Sequence, residues 1–179
     1  MINTLVSNNC SGGAILHELG MEFRTPTINL QILPEEYPRF CRMFKDYMRT
    51  PLTEYKDITE KHRKHLTKMF GCVPKMPFGL LGDVIVCFQH YDSFEQAKLK
   101  WDYRRERVDF ENIGYIFHAR GKEYKKEAEE FLSLNLKNSL LLTQGFDAGG
   151  VRFDGEGFEA VDGKLRIVTV YDYERFCKA

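Results

Sequence analysis

Short apolar runs alternate along residues 1–145 with segments whose apolar residues recur at helical spacing. The apolar runs predict buried strands at residues 2–7, 84–89, 113–117 and 139–143. Between them, the pattern predicts helices at about 14–19, 34–50, 59–70, 93–108 and 124–132. Alternating strands and helices are typical of α/β folds. We therefore expect a three-layer α/β fold with a largely parallel central sheet and helices on both of its faces.

The pattern changes after Gly149. Residues 151–153, 158–161 and 165–170 form short alternating segments separated by glycine-rich turns, which predicts antiparallel strands. The chain has 179 residues, a length that suits one domain around one hydrophobic core. We expect residues 1–179 to form a single α/β domain, with residues 150–179 as an antiparallel C-terminal extension packed on it.

Composition and charge narrow the function classes. Apolar residues make up 43% of the chain, and 26 Lys and Arg residues balance 26 Asp and Glu residues, so the net charge is zero. Without an overall basic surface, no nucleic-acid partner is expected. The longest apolar stretch, at 84–88, is far shorter than the roughly 20 residues that cross a bilayer, so no membrane span is expected.

The cysteines indicate the compartment. Five of them stand at positions 10, 41, 72, 87 and 177, an odd and widely spaced set that does not suit a disulfide framework. No Cys-x-x-Cys pair is present, so no metal site is expected. The first residues lack the basic and long apolar regions of a signal peptide. These features predict a reduced, cytoplasmic protein in which Cys41 and Cys87 are small core residues.

The segment after the first predicted strand is the strongest candidate for a functional site, because ligands of parallel sheets bind beyond the carboxyl ends of the strands. It is a run of polar residues and glycines: Ser7, Asn8, Asn9, Cys10, Ser11, Gly12 and Gly13. The asparagine amides could stabilise an oxyanion, and free backbone amides around Gly12 and Gly13 at a helix start could hold a phosphate, sulfate or carboxylate. A capped turn that binds nothing is the alternative.

Ser7, Cys10 and Ser11 are the nucleophile candidates of this loop. Cys10 is intrinsically the better nucleophile, and a helix N-terminus would lower its pKa. Ser7 would point from the strand end as esterase serines do, so we give Ser7 and Cys10 equal weight. His90 follows the most apolar strand and could act as general base, oriented by Asp92 or Asp83. Asp83 begins that strand and should lie at the opposite edge of the sheet, which favours Asp92. A strand-end histidine bonded to the backbone is the alternative for His90.

Two further segments add candidates. The sequence His-Ala-Arg-Gly at 118–121 follows the next strand, so it too lies beyond the carboxyl end of a strand, where ligands of parallel sheets bind. On the helix predicted at 93–108, Phe94, Ala97, Trp101 and Val108 form one apolar stripe, so Trp101 should be buried. Arg104 flanks that stripe, and it either covers the edge of the packed helix or reaches an anionic substrate.

A basic run at 61–65 contains His62 and His65 at a spacing of three. We interpret this run as a solvated helix face and not as a metal site, because a run of basic residues is typical of an exposed surface.

Several blocks of the chain resemble, in order, a bacterial family called domain of unknown function 1919. These blocks are Ser7-Asn8-Asn9-Cys10-x-Gly12-Gly13, Leu19-Gly20, Thr25-Pro26-Thr27-Ile28, Gly79-x-Leu81-Gly82-Asp83-Val84, His90-Tyr91-x-Ser93-Phe94-Glu95-x-Ala97, Lys100-Trp101-x-x-Arg104 and Asn112-Ile113. The resemblance covers the chain to about residue 145. It implies a role in bacterial exopolysaccharide or capsule biosynthesis, without a mechanism. Many members carry an aromatic residue before the two glycines, where this chain has Ser11.

Two functions are therefore expected as alternatives. The first is an acyl- or related group transferase, or a hydrolase, that acts on a sugar or glycan and uses an acyl-CoA or nucleotide-sugar donor. Its nucleophile would be Ser7 or Cys10, with His90 as the base. The second is a non-catalytic module that binds a glycan, a nucleotide-sugar or a partner protein. A glycosyltransferase is a third possibility, although the chain has no Asp-x-Asp metal motif. A hydroxyl or thiol of the first loop within hydrogen-bond reach of His90 would favour the enzyme.

Overall fold

The computed structural model describes residues 1–161, 164–167 and 170–178 as a mixed α/β structure. The strands are Thr4–Ser7 (β1), Gln31–Ile32 (β2), Leu52–Glu54 (β3), Phe78–Leu81 (β4), Val84–Cys87 (β5), Ile113–Ala119 (β6), Ser139–Gln144 (β7), Val151–Phe153 (β8), Phe158–Val161 (β9) and Lys164–Ile167 (β10). The helices are Ser11–Glu18 (α1), Tyr37–Arg42 (α2), Phe44–Tyr47 (α3), Glu60–Phe70 (α4), Phe94–Arg105 (α5), Lys125–Ser133 (α6) and Tyr173–Lys178 (α7), with a 3-10 turn at Lys122–Tyr124. Within these ranges, no helix is long and apolar enough to cross a bilayer.

Four strands form a parallel sheet in the order β1-β6-β7-β8. Ser7 at the end of β1 pairs with Ile116 of β6, and His118 of β6 pairs with Leu142 of β7. Because all four strands run in the same direction, their carboxyl ends lie along one edge of the sheet. That edge is where a ligand site is expected in a sheet of this kind.

The strand predicted at 84–89 is not part of this sheet, which corrects the expectation of one central sheet. β5 lies in a separate antiparallel sheet of order β2-β5-β4-β3, joined to β4 by a two-residue turn at Gly82 and Asp83. All four residues of β5 are buried, as predicted. A continuous apolar run indicates burial on both faces but not strand direction, and a two-residue turn connects antiparallel strands. The three-layer arrangement stays a prediction.

The C-terminal region follows the prediction only in part. β9 and β10 pair as an antiparallel hairpin, as expected. β8 instead extends the parallel sheet, where Val151 pairs with Leu142. Of the segment predicted at 165–170, residues 168 and 169 lie outside the described residues. Helix α7 was not predicted, and the backbone N–H of Ile2 donates to the carbonyl of Cys177 at its end.

Alternate side chains of the parallel sheet enter two separate hydrophobic clusters. Val6 and Phe117 belong to a cluster that includes Trp101, and Leu5 and Ile116 belong to the other. Helix α2 is tied to the first strand as well, since the Tyr37 hydroxyl donates to the carbonyl of Val6 at 3.0 Å. Alternate residues of β1 point to opposite faces of the sheet, so the strand is packed between the two clusters. Its carboxyl end continues directly into the loop at 8–10.

The predicted start of helix α5 and the predicted burial of Trp101 are both confirmed. The Ser93 hydroxyl accepts a hydrogen bond from the backbone N–H of Gln96 at 3.2 Å, and the Gln96 side chain accepts one from the N–H of Asp92. These contacts satisfy backbone N–H groups at the start of the helix, as the pattern Ser-x-x-Gln predicts. Trp101 is 1% exposed.

His62 is buried, which corrects its interpretation as part of a solvated face. Its Nε2 lies 2.8 Å from Oε1 of Glu36, and its Nδ1 lies 2.9 Å from the Tyr55 hydroxyl. The other Glu36 oxygen accepts the backbone N–H of Ile85 at 2.9 Å. The Glu36 carboxylate raises the pKa of His62. The basic residues around it in sequence conceal that His62 and Leu66, four apart, form the inward face of α4.

Candidate functional site

A cleft of about 340 Å³ lies at the carboxyl ends of β1 and β6. Loop 8–10 and the residues after β5 and β6 line it, together with the end of α4. Its lining residues are Asn9, Cys10, Gln31, Lys68, Met69, Phe70, Gln89, His90, Arg120, Glu123, Tyr124 and Phe158. A volume of this size lies in the range of small-molecule sites. We call it the Cys10 cleft.

Cys10 and His90 meet in this cleft although their strands lie in different sheets. The Sγ of Cys10 is 3.4 Å from Nε2 of His90 and 4.0 Å from Oε1 of Gln89. The two sheets are joined beside this point, where the backbone N–H of Ile32 in β2 donates to the carbonyl of Asn8. A thiol next to an imidazole is the arrangement that nucleophilic catalysis by cysteine requires.

The protonation state of Cys10 differs from the sequence expectation. Burial raises the pKa of the Cys10 thiol, and the Arg120 guanidinium lowers it by a smaller amount. The expected lowering by a helix N-terminus does not prevail, because Cys10 is half-buried beneath the cleft. The thiol is therefore protonated at neutral pH and needs a base to become a nucleophile. His90 is exposed and stands at hydrogen-bond distance from it.

Ser7 is not available as a nucleophile. It is fully buried, and its hydroxyl donates to the carbonyl of Asn9 at 2.7 Å. The same oxygen accepts the backbone N–H of Gly12 at 3.1 Å. A Cβ on Gly12 would lie only 2.5 Å from this oxygen, so glycine is required for the contact. The polar group of Ser7 therefore holds the loop closed on α1.

Two backbone amides near the predicted anion cradle at Gly12 and Gly13 are bonded within the protein. Both glycines are buried, and the Gly12 amide is bonded to Ser7. The Ser11 amide donates to Oδ1 of Asn9 at 2.9 Å. Backbone donors that are satisfied inside the protein cannot also bind an anion. The anion cradle stays a prediction, and Cys10 is the nucleophile candidate of the loop that lines the cleft.

Asn8 joins two strands instead of binding a ligand. Its Oδ1 accepts the backbone N–H of His118 at 2.9 Å, and its Nδ2 donates to the carbonyl of the same residue at 3.2 Å. The side chain thus continues the pairing of β1 with β6 by one step beyond Ser7. Loop and strand end are held in fixed register below the cleft.

Asn9 and Ser11 form a buried polar cluster with the ring of His118. The Ser11 hydroxyl donates to Oδ1 of Asn9 at 2.6 Å, which orients the amide so that its Nδ2 faces Nδ1 of His118 at 3.3 Å. The Ser11 oxygen lies 3.2 Å from the same nitrogen. On its other side, the imidazole packs against the rings of Phe153 and Phe158.

His118 should make the protein sensitive to acid. Burial, and secondarily the charge of Arg120, lower the pKa of His118 to about 3. An unfolded histidine has a pKa of about 6.5, so the stabilisation is complete above that pH and is lost as pH falls toward 3. Between pH 7.5 and 5.5, the unfolding free energy of the wild type should fall by about 1.4 kcal/mol more than that of His118→Gln. Urea unfolding at the two pH values measures this difference, and equal losses in both proteins would contradict it.

Asp92 and Arg104 lie apart from the Cys10–His90 contact. Asp92 is exposed, and the described structure contains no bond between its carboxylate and His90. Arg104 donates to the Tyr91 hydroxyl at 2.9 Å and stands over the ring of Phe23. Arg104 is thus a packing residue of α5, which agrees with the structural alternative for it.

Sequence reasoning missed the cationic side of the site. Arg120 and Lys68 line the cleft, and His118 lies beneath it. The rule of strand ends pointed to residues 118–121, but nothing in that segment indicated which side chain faces a ligand. Lys68 belongs to a run of basic residues with no distinguishing pattern. Among the described residues, no group of three or more His, Cys, Asp or Glu side chains could hold a metal ion.

The fold and the cleft define an α/β protein with a cysteine–histidine pair at the carboxyl edge of a parallel sheet. The chain belongs to the family described as domain of unknown function (DUF1919), whose model matches residues 2–147. It is similar to an uncharacterized protein of Haemophilus influenzae, with 31% identity over 140 residues and coverage of 78% of this chain. The aligned region covers 61% of that protein, so the chain spans about three fifths of the length of the curated relative it matches.

Proposed function

We propose that this protein is a thiol-dependent acyl- or related group transferase, or a hydrolase, acting on a sugar of a bacterial surface glycan. The observation that carries the proposal is the 3.4 Å approach of Cys10 Sγ to His90 Nε2 in an open cleft. The setting in exopolysaccharide or capsule biosynthesis is proposed from the resemblance of several sequence blocks to a family so described. The reaction class follows from the chemistry of the pair.

The chemical steps can be assigned to these two residues. His90 accepts the proton of the Cys10 thiol as Sγ attacks the carbonyl of an acyl donor. The bond from the carbonyl carbon to the donor breaks, the leaving group takes the proton from His90, and an acyl thioester remains on Cys10. A sugar hydroxyl, or water in a hydrolase, then loses its proton to His90 and attacks the thioester. The thiol is restored when its sulfur regains that proton.

The neighbouring groups support this assignment. Because burial raises the pKa of Cys10, the resting thiol does not react until a base contacts it, and His90 is the base within reach. The Cys10 thiol also faces Oε1 of Gln89 at 4.0 Å, an acceptor oxygen that helps to orient the thiol in the cleft. An acyl-CoA is the donor that we propose for this step, because its thioester supplies the carbonyl that the sulfur attacks and a thiol leaving group.

A non-catalytic binding module is the second candidate. The observation that favours it is that His90 lacks an orienting carboxylate in the described part of the chain, since Asp92 does not contact it. In this case the cleft would hold a glycan, a nucleotide-sugar or a partner protein, and Cys10 would remain a thiol throughout.

Trapping the acyl group on Cys10 distinguishes the two functions. Wild type, Cys10→Ala and Cys72→Ala are incubated with short acyl-CoA thioesters and activated acyl esters, and intact masses are measured. Cys72 is an exposed thiol outside the cleft and supplies the matched control. We expect one acyl group, removable by hydroxylamine, on the wild type and on Cys72→Ala, and none on Cys10→Ala. Ligand-induced thermal stabilisation without acylation would favour the binding module.

A further inference from the structure

Two basic side chains line the Cys10 cleft, and one of them forms no ion pair with the described residues. Arg120 and Lys68 line it, against one acidic side chain, Glu123. Lys68 is partly neutralised, because its Nζ bonds Oε1 of Glu35 at 3.0 Å and stands 4.3 Å from the ring centre of Tyr124. Arg120 is exposed and forms no ion pair with any described residue. A guanidinium without a carboxylate partner in a ligand-sized cleft is available to bind an anion.

The charge of Arg120 reaches the reactive sulfur. It lowers the pKa of the Cys10 thiol and also that of the His118 imidazole beneath the cleft. Both effects require the guanidinium to be close enough for a Coulombic interaction with these groups. Arg120 and Cys10 line the same cleft, so an anion bound to Arg120 would share that cleft with the sulfur.

The backbone after β6 directs Arg120 to this position. Gly121 has φ of +139°, and a Cβ there would lie 2.5 Å from a carboxylate oxygen of Glu123. Only glycine accommodates this turn without strain. Arg120 is thus held at the carboxyl end of the strand by the turn that follows it.

We propose that the substrate or donor attacked by Cys10 carries an oxyanion, phosphoryl or carboxyl, that is bound by Arg120 with help from Lys68. This inference rests on the proposed function for the identity of the reacting sulfur. The oxyanion itself is a separate property, because the guanidinium binds it whether or not a bond to sulfur forms. Planar guanidinium groups pair with phosphate and carboxylate through two parallel hydrogen bonds.

Alkylation of Cys10 by two reagents of similar size tests the inference. Iodoacetate is an anion and iodoacetamide is neutral, and both modify thiols by the same displacement. The rates at Cys10 and at the exposed Cys72 are measured by peptide mass spectrometry. In the wild type, the iodoacetate-to-iodoacetamide rate ratio should be higher at Cys10 than at Cys72. In Arg120→Gln, the ratio at Cys10 should fall about three- to tenfold, as expected for loss of one nearby charge in partly solvated surroundings.

Control variants make the result specific. Arg120→Lys keeps the charge and should retain most of the ratio. Lys64→Gln removes an exposed charge of α4 that does not line the cleft, and should leave the ratio unchanged. An equal ratio at Cys10 in the wild type and in Arg120→Gln would overturn the inference.

The same measurement separates this inference from the proposed function. His90→Ala should slow both reagents at Cys10 equally, because it removes the base and not the charge. If both rates are unaffected, the proposed function fails while the charge effect still stands. Protection of Cys10 from iodoacetamide by inorganic pyrophosphate identifies a phosphoryl group, and protection by glucuronate identifies a carboxyl group. Protection by neither anion would contradict the inference.

Discussion

Replacing His90 with Ala should slow turnover by about two to four orders of magnitude while the melting temperature stays close to that of the wild type. The histidine is exposed and follows β5, so its loss removes little packing. The Cys10 thiol is protonated at neutral pH because burial raises its pKa. Without the imidazole 3.4 Å away, the thiol has no adjacent base. Steady-state kinetics on the substrate found by acyl trapping, with thermal unfolding in parallel, measures both quantities.

His17→Ala provides the matched control for this experiment. His17 is also an exposed histidine, but it lies on the last turn of α1 and does not line the cleft. Its replacement should leave turnover unchanged. Full activity of His90→Ala would remove this residue from the mechanism. His118 cannot replace it as base, because His118 is buried and its Nδ1 contacts Asn9 and Ser11.

Replacing Trp101 with Ala should lower the unfolding free energy by about 3–5 kcal/mol, the usual cost of deleting a large buried aromatic side chain. Trp101 is 1% exposed and belongs to the cluster that contains Val6 of the parallel sheet and Val84 of the antiparallel sheet. The substitution would leave a cavity in this cluster, which contains residues of both sheets. Denaturant unfolding followed by circular dichroism measures the loss.

Two controls on the same helix and at the same site sharpen this result. Leu99 is 73% exposed on α5, so Leu99→Ala should change the unfolding free energy by no more than about 0.5 kcal/mol. Trp101→Phe should lose much less than Trp101→Ala, because the indole N–H has no hydrogen-bond partner in the described structure. A Trp101→Ala protein as stable as the wild type would show that the cluster does not depend on this side chain.

Local sequence patterns determined the positions of the main strands and helices, because the spacing of apolar residues follows the face of each element that is buried. They did not determine how the strands divide into sheets. Val84–Cys87 and Ile113–Ala119 are both apolar throughout, yet one strand lies in an antiparallel sheet and the other in a parallel sheet. The two-residue turn at Gly82 and Asp83 decides this difference, and strand β4 before it was not among the predicted strands.

The loop after β1 and the residue His90 could be selected as candidates from the sequence alone, because both follow apolar strands, where ligands of parallel sheets bind. Which of those groups is free was not identifiable. The Ser7 hydroxyl accepts the backbone N–H of Gly12, so neither group is free to bind a ligand. The Asn8 side chain is bonded to the backbone of a strand 110 residues away in the sequence. Hydrogen-bond partners over such distances are set by tertiary packing, which no local pattern encodes. Only the folded structure leaves Cys10 facing His90 and adds Arg120, because proximity across two sheets depends on how those sheets pack.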